Sequence, residues 1–83
     1  MQSKVIIYSS DLCGYCRRAK HLLTSKQVEF EEISIDGRMD LRRQMTDRTG
    51  GHTVPQIIIG DQAIGGCDDL LALENSQQLD TLL

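Results

Sequence analysis

Val5-Ile6-Ile7-Tyr8-Ser9-Ser10-Asp11-Leu12-Cys13-Gly14-Tyr15-Cys16 decides how the rest of the chain is read. Its first four residues are apolar and mostly β-branched, bounded by Ser9-Ser10-Asp11, the composition of a short buried strand. Its last four put two thiols two residues apart. Beyond them Cys16, Ala19, Leu22 and Leu23 recur at helical spacing, with Arg17, Arg18 and Lys20 between them. The dithiol therefore sits at a strand-to-helix junction. A helix that starts at Cys13 aims unpaired backbone N–H groups, worth about half a positive charge, at the first sulfur. A thiolate is stabilised there, so Cys13 is expected to be nucleophilic near neutral pH, and Cys16, one turn on, is placed to form a disulfide with it.

Working outward, Val28, Phe30, Ile33 and Ile35 read as a second strand closed by Asp36-Gly37. Arg38 to Thr49 reads as a second helix, with Leu41 and Met45 four apart and Gly50-Gly51 as its stop. The single proline, Pro55, leads into Gln56-Ile57-Ile58-Ile59, and Gly60-Asp61 turns the chain into Gln62-Ala63-Ile64, the return arm of a hairpin. Gly65-Gly66 opens a third helix, Cys67 to Glu74, with Asp68 and Asp69 in its first turn where the dipole favours acids. Leu79, Leu82 and Leu83 form a last short apolar turn. The order β-α-β-α-β-β-α predicts an α/β fold, a four-stranded mixed sheet flanked by three helices, in one domain spanning 1–83. Strands one and two are parallel through a right-handed crossover, and the site lies at the carboxyl end of strand one.

Composition narrows the function. Nine Lys and Arg against twelve Asp and Glu give a formal net charge of −3, and no clustered basic face points to nucleic acid. No apolar run approaches the ~20 residues of a membrane span. Met1-Gln2-Ser3-Lys4 lacks the pattern of a secretory signal. Three cysteines are an odd number for a secreted disulfide scaffold, so a reducing compartment, the cytosol, is expected.

Each remaining motif has a plain reading beside its sharp one. Cys13 and Cys16 are half of a zinc site, which Cys67 and His52 or His21 would have to complete, or they are a dithiol redox pair. Pro55 is an edge device, or, with a cis Val54–Pro55 bond, it fixes a bend that leaves the Val54 N–H and C=O to pair with an extended peptide. Gly65-Gly66-Cys67-Asp68 is an ordinary turn with helix acids. It is equally a place where backbone approaches a ligand, the helix end receives a carboxylate and Asp68 accepts from an ammonium, which together describe an α-amino acid head group. Cys67 reads as a small buried filler, and His21 and His52 as surface residues.

Together these stretches resemble the glutaredoxin family, in its short bacterial dithiol form. Cys13-Gly14-Tyr15-Cys16 is similar to C-P-Y-C, Thr53-Val54-Pro55 to T-V-P, and Gly65-Gly66-Cys67-Asp68-Asp69 to G-G-x-D-D, with Ile35-Asp36-Gly37 and Pro55-Gln56-Ile57 agreeing as well. The resemblance implies a thioredoxin-like fold and a monomeric, glutathione-dependent disulfide oxidoreductase. It would act on disulfide-containing or glutathionylated proteins and be served by glutathione reductase. It makes Cys13 the attacking thiolate and Cys16 the resolving thiol. Glutathione would be bound by Tyr15 beside its sulfur, Thr53, Val54 through its backbone, a cis Pro55, Gly66, Cys67 through its N–H, Asp68 at the head group, and Arg42 at the glycyl carboxylate.

Two departures stand out. Ser10 occupies a position where many relatives have lysine, so weaker glutathione binding is expected, partly offset by Arg17 and Arg42. Gly14 replaces proline, which restores an N–H and loosens the first turn. Relatives without that proline sometimes hold a [2Fe-2S] cluster between subunits, which makes cluster carriage one alternative. Direct reduction by thioredoxin reductase is another.

Overall fold

Alternation along one strand sets the layers. In the computed structural model, which describes residues 3–83, β1 (Val5–Ser9) is buried along its whole length. Val5 and Ile7 join a cluster with Ala19, Leu23, Ile57, Ile59, Cys67, Leu70 and Leu79, whereas Ile6 and Tyr8 join another with Ile35, Met45 and Ile58. Successive strand side chains point to opposite faces, so β1 and β3 (Gln56–Ile59) feed a core on each side of the sheet. α1 (Gly14–Ser25) and α3 (Cys67–Asn75) cover one face, and α2 (Met39–Thr49) covers the other.

The sheet runs β2 (Glu31–Ser34), β1, β3, β4 (Gln62–Gly65). β1 pairs β2 in parallel, with Ile7 opposite Glu32, and β3 antiparallel, with Ile7 opposite Ile57. The predicted four-stranded mixed sheet is therefore present. β4 returns from β3 with a register shift between Ile57 and Ile58, and Gly65 sits at φ +114°, a conformation that favours glycine.

Two boundaries differ from expectation. Val28 and Phe30 pack against the first cluster but stand outside the β2 ladder. Gln27 takes φ +60° and the Val28 N–H donates to the Leu23 carbonyl at 3.1 Å, so Val28 belongs to the turn that ends α1. The expected last apolar turn is a fourth short helix, α4 (Leu79–Leu82), with Leu79 fully buried.

α2 buries only Met45 completely and docks partly through polar groups. The Tyr8 hydroxyl, inside the core, donates to Gln44 Oε1 at 2.5 Å and accepts from Arg48 Nη1 at 2.8 Å. Leaving such a phenol unpaired would cost about 1–3 kcal/mol, so this contact fixes α2 as firmly as a buried methyl or two. Among the described residues, no helix is long and apolar enough to cross a membrane. Met1 and Gln2, part of the segment read above for a signal, lie outside the described residues.

Candidate active site

The two thiols occupy opposite environments one turn apart. Cys13 is the N-cap of α1, and its Sγ accepts the Cys16 backbone N–H at 3.0 Å. The helix thus begins at Gly14, and the sulfur itself takes the capping role that a serine or aspartate oxygen usually has. No acidic residue lies in the first turn to compete for those N–H groups. Cys13 is half-buried and its thiol also donates to the Val54 carbonyl at 3.7 Å. Cys16 is fully buried. Burial, then the neighbouring Cys13 sulfur, pushes its thiol up to about 12. One sulfur is accessible at a helix N-terminus, and the other keeps its proton inside.

Beside Cys13 lies a groove of about 270 Å³. Tyr15 lines it from α1, Thr53, Val54 and Pro55 from the segment before β3, and Gly66, Cys67 and Asp68 from the start of α3. The Val54–Pro55 bond is cis, as expected. Val54 is half-exposed and precedes β3, whose pairing with β1 ends at Gln56 opposite Tyr8. Its carbonyl is not free, however, because the Cys13 thiol points at it.

Asp69, which the sequence marks only as a helix acid, also lines the groove. Its Oδ2 accepts the Gly66 N–H at 3.0 Å, closing the start of α3 on itself. A side chain at Gly65 would collide with that carboxylate, which is why the close approach needs glycine. The spacing of Gly66 and Asp69, N-cap and third helical residue, was the available signal.

Arg42 is not in this groove. Its Nη1 donates to the His52 carbonyl at 3.0 Å, and it lines a separate depression with Asp36, Arg38 and Met39. Cys67 is buried, and its thiol is pushed up chiefly by that burial, in keeping with a filler. His21 and His52 are exposed. Among the described residues, no three His, Cys, Asp or Glu side chains gather as a set that could hold a metal ion.

Known proteins resemble this chain in sequence and in fold. The family model described as glutaredoxin matches residues 5–64. Glutaredoxin 3 of Escherichia coli is 53% identical over 81 residues, covering 98% of this chain and 98% of that protein. The solution structure of a glutaredoxin from Brucella melitensis superposes with a TM-score of 0.87 at 50% identity, covering 99% of this chain and 89% of that one. The crystal structure of a buckwheat glutaredoxin–glutathione complex superposes with a TM-score of 0.88 at 30% identity, over 98% of this chain and 76% of that one. A dithiol at the start of α1, a cis proline facing it and near-complete overlap with these relatives lead to one conclusion: the chain belongs to the glutaredoxin family.

Proposed function

We propose that the chain is a glutathione-dependent thiol–disulfide oxidoreductase acting on protein disulfides and on glutathione mixed disulfides. The observation that carries this reading is the Cys13 sulfur, accessible, seated on the Cys16 N–H, and adjacent to a groove with a second helix N-terminus at its far side. In the dithiol cycle, the Cys13 thiolate attacks one sulfur of the substrate disulfide, and the other sulfur leaves as a thiolate. Cys16 then gives up its proton, attacks the Cys13 Sγ and releases the second substrate thiol. Two glutathiones reduce the Cys13–Cys16 disulfide, and glutathione reductase recycles the oxidised glutathione. In the monothiol cycle, Cys13 takes the glutathionyl group from a modified protein and a second glutathione removes it.

The groove suits a peptide of this kind. The start of α3, with the Cys67 N–H and exposed Asp68, fits a γ-glutamyl head group. The Val54 backbone fits an extended residue once the Cys13 thiol has ionised and released its carbonyl. Thr53, Pro55 and Gly66 shape the floor, and Tyr15 covers the sulfur. On this reading Arg42 serves the glycyl carboxylate only by exchanging its His52 carbonyl for it. The buckwheat relative captured with glutathione supports the assignment, and three free cysteines fit a cytosolic setting.

The test is hydroxyethyl disulfide reduction with glutathione and glutathione reductase, run against thioredoxin reductase as the alternative electron source. Turnover with the first system supports the reading. Turnover with thioredoxin reductase alone overturns the glutathione dependence.

A further inference from the structure

The loop that carries Cys13 is held by a side chain outside the redox pair and the groove. Between Ser9 and Cys13 no side chain is buried, and Leu12 is 95% exposed. Packing therefore does not fix this segment. Hydrogen bonds from the β2–α2 turn do. Asp36 Oδ1 accepts the Ser10 hydroxyl at 2.6 Å, and its Oδ2 accepts the Asp11 backbone N–H at 2.8 Å. Asp36 is itself tied by its N–H to Ser34 Oγ at 3.3 Å, and the preceding Ile35 N–H donates to the Ser9 carbonyl at 2.9 Å. Ser10 is thereby held on both sides: its hydroxyl is on Asp36 and its carbonyl accepts the Cys13 N–H at 3.2 Å.

We infer that Asp36 is a positioning residue for the attacking thiol: by gripping Ser10 and Asp11 it fixes the backbone that seats Cys13 and keeps the Cys13 Sγ on the Cys16 N–H. Its charge alone would act the other way, since a nearby carboxylate disfavours a thiolate. Geometry and charge therefore make opposite predictions for its removal. The inference rests on Cys13 being the attacking thiol, and it adds that the reactivity of that thiol is set across two loops 25 residues apart in sequence.

The experiment is the rate of iodoacetamide alkylation of Cys13 at pH 7, followed by mass spectrometry on the Cys13 peptide of the reduced protein, with no glutathione present. Asp36→Ala should slow alkylation about fivefold, the worth of one net hydrogen bond to the sulfur. Asp36→Asn should restore the rate to within about twofold, because its amide oxygen can accept from Asp11 and its amide N–H can donate to the Ser10 hydroxyl. Ser10→Ala, which removes one of the two contacts, should fall between. An Asp36→Ala rate equal to or above that of the parent overturns the inference, as does an Asn variant as slow as the Ala variant. If Asp36→Ala melts below the assay temperature, Ser10→Ala decides alone, and an undiminished rate there is fatal. A Cys13 that is unreactive in the parent removes the nucleophile assignment and the inference with it. A reactive Cys13 indifferent to Asp36 removes the inference alone.

Discussion

Two helices begin on opposite sides of the same groove, and they treat their unpaired N–H groups differently. α1 starts with a sulfur as its cap and no acid in its first turn, so the positive end of its dipole is left to Cys13. α3 starts with Gly66, folds Asp69 back onto the Gly66 N–H, and carries Asp68 outward. On the proposed function, the first end would serve a thiolate that reacts, and the second a ligand that bears both signs of charge. The difference shows that a helix N-terminus has no fixed chemistry. The residues of its first turn decide whether the field acts on a nucleophile or is already answered by the chain itself.

The strongest way to break this contrast is to remove the sulfur. Cys13→Ser should lower hydroxyethyl disulfide turnover at least about a thousandfold, whereas Cys16→Ser should keep glutathione mixed-disulfide turnover within about tenfold of the parent. A Cys13→Ser variant that still turns over would show that the α1 end is not the reactive one. The contrast can next be erased by making α1 resemble α3. A Cβ at Gly14 meets open space, so Gly14→Asp adds a carboxylate without a clash. It should slow Cys13 alkylation about fivefold, with Gly14→Ala unchanged as the control.

Working on α3 instead, Asp68→Ala should raise the apparent KM for glutathione about threefold and leave Cys13 alkylation untouched. An equal effect on alkylation would mean that the two ends are not separate devices. The smallest effect concerns the carboxylate that α1 does hold, on its flank rather than at its end. Glu32 lies below the usual carboxylate range, chiefly through the Lys20 ammonium at 2.8 Å and then the Ser9 hydroxyl at 2.6 Å. Its folded value is depressed, so its contribution is present above the ordinary value of 4.5 and is lost as pH falls through the folded one. Glu32→Gln should lower thermal stability slightly at neutral pH and flatten the acid limb, the two proteins converging as pH falls below about 4.5.

Much of this arrangement was legible in the chain because its signals were local. Val5 to Tyr8 and the 3.6-residue recurrence from Cys16 to Leu23 each identify an element without help from the rest of the molecule. Val28 and Phe30 show the limit. An apolar residue announces burial but not its partner, and Val28 was captured by the Leu23 carbonyl instead of the ladder. Seven of the eight expected glutathione residues do line one groove, since their motifs fix backbone as well as side chains. Arg42 does not, because a long side chain chooses among acceptors that only the folded loops present, and it chose His52. The grip of Asp36 on Ser10 was invisible for the same reason. The resemblance marked Ile35-Asp36-Gly37, but nothing along the chain says which loop faces it.

The two outermost strands also bear on how the molecule avoids its own kind. β2 and β4 have four residues each. β2 exposes Glu31 and Glu32, and β4 departs from regular register after Ile58 and ends at left-handed Gly65. A second copy approaching β2 would meet carboxylates already tied to Lys4 and Lys20 of this chain, and one approaching β4 would find too little straight backbone to zip onto. The rims of the sheet thus offer an extended polypeptide little to pair with, and on the proposed function it is the stretch at Val54 that would receive one.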